Sequence, residues 1–391
     1  MSNELSYNQR GVSASKEDVY NAIQKLDKGL FPNAFCKVLP DLLGHDNTYC
    51  NIVHADGSGT KSALAYLYWK ETGDLSVWRG IAQDAIVMNT DDLLCAGAWN
   101  YFIFCSIINR NKLLIPAEVL SEIINGTQSF FNEMKKYGID IYYGGGETAD
   151  LGDLVRTITV DSTITCRLKR SDIIEADIQH GDVIVGLASY GQATYENEYN
   201  SGIGSNGLTA ARHDVLHHSY YQEQKATYDS NLEEQLVYSG SFRVSDTFED
   251  APMNVGKLLL SPTRTYLPLM TQILPLYQNK IHALIHCSGG GQKKVLHYAH
   301  SNVHIIKDHF LPIPHVFRMI QMQNNTPWEE MYQVFNMGHR LEIYTDKETA
   351  MAIIDTAKLL NIDAQVIGHV EKSELKKLTL QTPYGTFEFH K

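Results

Sequence analysis

An acid, two glycines, a threonine and a lysine crowd into Asp56-Gly57-Ser58-Gly59-Thr60-Lys61, directly after the apolar residues 50–55. Backbone N–H groups at a tight glycine turn, followed by a lysine at a helix start, suit an anion such as phosphate. A P-loop needs four residues between its glycines, whereas here Ser58 alone separates Gly57 from Gly59. So short a turn cannot wrap a phosphate by itself, and Asp56 adds a negative charge in front of it. An acid and a phosphate are compatible where a divalent cation joins them.

More acids follow at helical spacing. Asp84 and Asp91 are seven residues apart and Asp92 is eight from Asp84, on an otherwise apolar helix pattern, so all three are expected on one face. A carboxylate in that setting has to be hydrogen-bonded, paired or metal-bound, with capping or a solvated edge as the plainer alternative. Glu147 follows a second glycine run in GGGETAD (144–150). Acids drawn from two turns and a helix are the arrangement Mg²⁺ needs to bridge nucleotide phosphates. A third run, HCSGGGQKK (286–294), places His286 and Ser288 before glycines and two lysines, fit for a phosphate or for acid–base work. A single histidine at a strand end is more often structural. GIGSNGL (202–208) reads as a loop with a helix cap. His213 and His217 stand four apart without the acid of a zinc motif, short of a ligand set.

The elements that must position these residues read as mixed α/β. Helical patterns cover 15–26 (Ser15 as a candidate cap), 61–73, 77–96, 116–138 and a segment from 262. Strand patterns cover 50–55, 99–108, 155–166 and 281–287. Both triple-glycine runs, 144–146 and 289–291, are expected as turns following strands. A change to polar, turn-rich sequence near 170–182 marks a boundary between two units, and 191–256 is a long irregular tract. The chain has 391 residues, a formal charge of −12, and six cysteines without a C-x-x-C pair. Two domains, reduced thiols and a soluble cytoplasmic protein are the expectation, since no signal-peptide pattern or apolar run of membrane-spanning length occurs. The negative charge argues against nucleic-acid or membrane partners. It also means that a phosphorylated ligand must be met by local lysines, N–H groups or a cation; one ion pair at about 4 Å is worth roughly 4 kcal/mol at an effective dielectric of 20.

Taken in order, SYNQRGV, HADGSGTK, IAQDAIVMNTDDLLCAGA, GGGETAD, RSDIIEADIQHGDVIVGLAS, SGIGSNG, LLSPTRTY, HCSGGG, PIPHVFRMIQ, EMYQVFNMG and VIGHVE resemble the phosphoribosylformylglycinamidine cyclo-ligase (aminoimidazole ribonucleotide synthetase) family. The resemblance runs from about Ser6 to Glu371. It implies a two-domain α/β fold of the PurM-like kind: residues 1–175 for ATP binding and dimerisation through an N-terminal sheet that forms an interface barrel, and 176–391 for substrate binding. It implies ATP, Mg²⁺ and ring closure of formylglycinamidine ribonucleotide to aminoimidazole ribonucleotide, ADP and phosphate. By the same resemblance Asp56, Asp92 and Glu147 hold the metal. Asp56, Gly57, Gly59, Thr60, Lys61, Gly145, Gly146, Glu147 and Thr148 hold ATP, and Ser205, Asn206, Gly207, Ser288, Gly289 and Gly290 hold the ribonucleotide. Lys61, His286 and Asp84 are the implied catalytic set, with Lys61 on phosphate and His286 handling a proton.

The chain departs from the family pattern in several places. Ser58 replaces a valine and Asp91 an asparagine, and RGVSASKED lacks the acids of the family's entry segment. Gly204 stands where a histidine is usual. QATYENEYN (192–200) is inserted, and His339-Arg340 follow FNMG where the family has Gly-Val-Gly. Another ATP-using member of the wider superfamily and a catalytically weak nucleotide-binding scaffold are the rival readings.

Overall fold

The computed structural model describes residues 7–13 and 17–390. A short 3-10 turn (Asn8–Arg10) precedes helix α1 (Glu17–Ile23), and the candidate cap Ser15 lies outside the described residues. A five-stranded sheet follows, made of β1 (Val38–Pro40), β2 (Tyr49–Gly57), β3 (Phe102–Arg110), β4 (Ile141–Asp150) and β5 (Ile158–Lys169). Its order is β1-β2-β5-β3-β4, antiparallel except for the β3–β4 pair. Burial alternates along β5, with Ile158, Val160, Ser162, Ile164 and Cys166 turned inward. Helices α2 (Lys61–Thr72), α3 (Val77–Cys95) and α4 (Ala117–Lys135) accompany this sheet, with α3 packed on its inner face. The outer face is uncovered and apolar: Val53, Ile103, Ile107 and Tyr142 are all exposed on it.

Between Lys169 and Val183 the chain passes to a second, seven-stranded sheet. Its strands are β6 (Val183–Ala188), β9 (Ile281–His286), β10 (Val303–Lys307), β11 (His339–Thr345), β12 (Ala364–Lys372), β13 (Lys377–Thr382) and β14 (Gly385–His390). They run in the order β14-β13-β10-β12-β6-β11-β9, and the intervening β7 (Tyr190–Gly191) and β8 (Asn200–Ser201) form a separate two-residue ribbon. The mixed α/β class expected from the sequence is what forms. The irregular tract contains the short strand β8 and short helices, among them α5 (Leu208–Val215) and α6 (Tyr220–Glu223). The inserted segment within it is pinned to the body: Glu196 pairs with Arg264 at 2.5 Å, and Asn200 donates to the Pro262 carbonyl at 2.7 Å.

The helix expected from residue 262 begins only at Leu267, as α8 (Leu267–Tyr277), and a separate α7 (Val255–Leu260) precedes it. The stretch between them is non-helical because its polar groups serve the interior. The Ser261 carbonyl accepts from Lys61, and the Thr263 N–H donates to Asp84.

Helix α3 is the element that joins the two sheets. All of its residues but Arg79 and Gln83 are buried, as befits a helix enclosed on every side. It packs on β2 and β5 of the first sheet and also against β9 of the second. Its acids therefore sit in the seam between the two units.

Candidate functional site

Lys61 opens α2 with a fully buried side chain. Its ammonium lies 3.0 Å from Asp84 Oδ1 and donates to the carbonyls of Gly204 (3.1 Å) and Ser261 (2.5 Å). Burial pulls its pKa down, opposed by the Asp84 carboxylate. Asp84 also accepts from Thr263 N (2.7 Å) and Thr263 Oγ1 (2.5 Å). The lysine expected on a phosphate instead has its three donors engaged by protein oxygens, and Asp84 is equally enclosed. Together they clamp the GIGSNGL turn and residues 261–263 onto the first unit. Ser58 contributes to this corner: its N–H donates to the Val160 carbonyl at 2.9 Å and its hydroxyl lies 2.8 Å from that of Ser62.

The three helix acids do not share one face. At about 100° per residue, seven residues return to within roughly 20° but eight overshoot to about 80°. Asp84 and Asp91 accordingly both meet the 263–265 segment, Asp91 accepting from Thr265 Oγ1 at 2.8 Å. Asp92 turns toward β2 and β9. Its Oδ1 is 2.5 Å from His286 Nδ1, and its Oδ2 is 3.5 Å from His54 Nε2. Burial alone would raise the Asp92 carboxyl, but His286, His54 and Lys294 outweigh it and lower its pKa, so it is ionised. Asn89, one turn earlier, orients His54: its amide donates to the carbonyls of Ala85 and Ser162 at 3.0 and 3.2 Å, leaving its oxygen for His54 Nδ1 at 2.8 Å. Asp56 is two residues beyond His54 on the same face of β2 and is partly exposed.

His286 is fully buried, and both ring nitrogens have partners: Asp92 on Nδ1, with Ser288 Oγ at 3.2 Å, and Arg340 Nη1 on Nε2 at 2.7 Å. A residue so enclosed does not offer a proton to a ligand in this arrangement. Its place is behind Asp92.

Three glycine turns converge on this region. Thr60 Oγ1 meets Thr209 Oγ1 at 2.8 Å, and Ser205 Oγ meets Thr263 Oγ1 at 2.9 Å. The Asn206 amide nitrogen lies against Gly289, 3.6 Å from where a Cβ would sit, so the 202–207 and 289–291 turns are neighbours. Gly207 caps α5 with the Phe335 ring packed beneath it.

Residues 144–148 are elsewhere. They are not a turn but the middle of β4, with Gly146 and Glu147 paired to Ser106 and Ile107 of β3. From Asp56 on β2 to that row of β4 the ladder crosses β5 and β3, three strand spacings or about 14 Å. Glu147 shares the outer face of Ile107, opposite to the face of Asp56. Within one chain, then, Asp56 lies on the sheet face that α3 covers, the face that carries His54 beside Asp92, and Glu147 lies on the other. Gly145, Gly146 and Thr148 lie with Glu147.

A cavity of about 860 Å³ opens beside the 289–291 turn. Gly290, Lys293 and Lys294 line one side, and Lys28, Lys37 and the stretch 34–36 the other. Its floor is aromatic: Phe35 stacks on Tyr298 at 4.7 Å, and the Lys294 ammonium stands 5.3 Å over the Phe35 ring. Cys36 links this wall to the acid, its thiol lying 3.3 Å from the Asp92 carbonyl. In a chain of charge −12 this concentration of lysines is a local reversal of sign.

Other candidate clusters resolve differently. Cys287, His339 and Glu342 are close enough for a cation, but the Lys307 ammonium already sits on Glu342. His213 lies in α5, which ends at Val215, so His217 is off the helix and shares no face with it. All six cysteines are free, and no described helix is long and apolar enough to cross a membrane. Sequence reasoning missed His54, Asn89, Thr263 and Thr265. It marked Arg340 only as a departure from the family pattern. His54 was adjacent to the Asp56 motif and could have been found there; the others are joined to the site only by long-range contacts.

Family models match the chain twice: AIR synthase related protein, N-terminal domain, over residues 38–168, and AIR synthase related protein, C-terminal domain, over residues 179–381. The chain is 29% identical to the phosphoribosylformylglycinamidine cyclo-ligase of Methanocaldococcus jannaschii, across 94% of this chain and 93% of that one. It is 28% identical to the protein of the same name from Methanococcus vannielii, across 97% and 98%. Among solved structures it resembles T. maritima PurL complexed with FGAR, with a TM-score of 0.54 at 13% identity; the match covers 97% of this chain but only 50% of that one, and is a likeness of fold. The chain belongs to the AIR synthase related protein family.

Proposed function

We propose that this protein is an ATP-dependent cyclo-ligase of purine biosynthesis. It closes formylglycinamidine ribonucleotide to 5-aminoimidazole ribonucleotide and releases ADP and phosphate. The near full-length similarity to cyclo-ligases supports the reaction. The observation that carries it in this chain is Asp92, held between His286 and His54 in the inter-domain seam, next to a lysine-lined cavity in an otherwise acidic protein.

The chemistry needs the formamide oxygen converted into a leaving group. Transfer of the γ-phosphoryl of ATP to that oxygen does so; a substrate nitrogen then attacks the same carbon, and the C–O bond breaks to release phosphate. The protein's contribution is positioning and charge neutralisation. Asp56 and Asp92 would hold Mg²⁺, which when bound would offset the charge of the nucleotide phosphates. The lysines around the 289–291 turn, with the N–H groups of Ser288, Gly289 and Gly290, would take the ribonucleotide phosphate, and Ser205, Asn206 and Gly207 its other side. Lys61 and Asp84 would keep the three turns in register without touching a ligand.

Glu147 fits a role only if a second copy completes the site. The uncovered apolar face that carries it, with Val53, Ile103, Ile107 and Tyr142, suits a homodimer formed through the first sheet. Replacing Asp56 by Asn is expected to abolish most turnover while fold and assembly persist. Normal turnover by a folded Asp56→Asn protein would remove Asp56 from the metal site.

A further inference from the structure

We infer that Arg340 is a positioning residue for Asp92, acting through His286; the inference rests on the reading of Asp92 as a ligand of the nucleotide-bound cation. A guanidinium group has five N–H donors and no acceptor. Arg340 Nη1 lies 2.7 Å from His286 Nε2, so that nitrogen has to present its lone pair. The ring proton is then on Nδ1, the nitrogen 2.5 Å from Asp92 Oδ1, and it is donated to the carboxylate. The opposite tautomer would set a lone pair against the carboxylate and an N–H against the guanidinium.

Arg340 is itself held on its far side. Its Nη2 donates to Asp91 Oδ2 at 3.2 Å, and the other Asp91 oxygen takes Thr265 Oγ1. The neighbouring acids of α3 are thereby joined into a closed loop: Asp91 to Arg340, Arg340 to His286, His286 to Asp92, and back along one peptide bond. Asp91 and His286 are 0% exposed and Arg340 is 2% exposed, so water does not compete for these bonds. The loop fixes Asp92 Oδ1, which leaves Oδ2 as the oxygen turned toward His54 and β2.

A second observation places the arginine. A Cβ at Gly204 would lie 3.6 Å from Arg340 Cδ, so the arginine lies against the position where the family pattern has a histidine. The bare glycine and the added arginine are therefore adjacent in space although they are 136 residues apart in sequence (340 minus 204).

The test uses the full chain. Nitrogen-15 NMR of the histidine rings in the native protein is expected to show His286 protonated at Nδ1 and bare at Nε2. In Arg340→Gln and Arg340→Met, which no longer force a lone pair onto Nε2, protonation at Nε2 should appear. Mn²⁺ binding in the presence of a non-hydrolysable ATP analogue should weaken about tenfold, the usual scale for losing a partner behind a metal ligand. The activity loss should fall mainly on KM for the metal–nucleotide. A native His286 protonated at Nε2, or folded variants that bind Mn²⁺–nucleotide as tightly as the native protein, would overturn the inference. If Arg340→Met does not fold, the native spectrum and the glutamine variant decide alone. Failure of the functional reading would show separately, as a native protein that forms no aminoimidazole product whatever its histidine tautomer.

Discussion

Gly144–Gly146 and Gly289–Gly291 are spelled alike and each follows an apolar stretch, yet they fold in opposite ways. The first run continues a strand. Phe104 pairs with Tyr143 and Ser106 with Gly146, so β4 holds two residues, Gly144 and Gly145, against the single Cys105 of β3, a bulge in which only Gly145 has a positive φ. The second run leaves β9 as a turn, with φ of 57°, 99° and 49° at its three glycines. The difference lies in the neighbours. Residues 147–150 find ladder partners on β3, whereas Gly291 is pressed against the Tyr332 and Phe335 carbonyls, where no strand can run. Only the second run lies at the lysine-lined cavity; the first displays Glu147 on the outer face of its sheet. A glycine triplet alone does not mark a phosphate site.

Substitutions can break this contrast. The largest stability effect is expected at Gly291→Ala. A Cβ there would lie 2.5 Å from the Tyr332 carbonyl and 2.8 Å from that of Phe335, on a left-handed backbone. A loss of about 3 kcal/mol is expected in denaturant melts, together with loss of turnover. Glu147→Gln should leave stability within about 0.5 kcal/mol. Its turnover should fall on the order of a hundredfold if Glu147 completes a site shared between two copies. Mixing Glu147→Gln with Asp92→Asn protein should then restore part of the activity, which a site confined to one chain would not allow. Gly145→Ala is milder: nothing lies within 4 Å of its added Cβ, so only the φ of +104° opposes it. About 1 kcal/mol and near-normal activity are expected.

The smallest effect at neutral pH concerns the support behind the second turn. Burial alone would raise the Glu342 carboxyl, but Lys307 and His339 outweigh it and hold it at about 2. Glu342 sits 3.4 Å from the Cys287 thiol, at the start of that turn. A depressed carboxyl contributes stability that is present above its unfolded value near 4.5 and lost as pH falls from there toward 2. Hydrogen exchange in the 287–296 segment should therefore accelerate over that acid window before β4 loosens. Glu342→Gln should flatten the dependence, and equal acid lability of both runs would remove this distinction between them.

What the sequence made legible was local. The apolar period of 77–96 matched α3 to within a residue, and Gly73 ends α2 with a left-handed cap whose N–H reaches Trp69. The family motifs carried the fold class and the reaction. Where the folded chain departs from the local reading, the cause is contact between distant segments. Lys61 at a helix start looked like a phosphate ligand until residues 204 and 261 closed over it. Glu147 looked like a partner of Asp56 until two strands came between them. Arg340 was visible as an oddity, but its partners Asp91 and His286 lie 249 and 54 residues away.

The most direct test is to incubate the purified chain with Mg²⁺-ATP and formylglycinamidine ribonucleotide and to follow ADP together with the diazotisable aminoimidazole product. A cyclo-ligase forms both in equal amounts, and neither without the ribonucleotide. Nucleotide binding with neither product formed would contradict the proposed function and leave the chain as a nucleotide-binding member of its family.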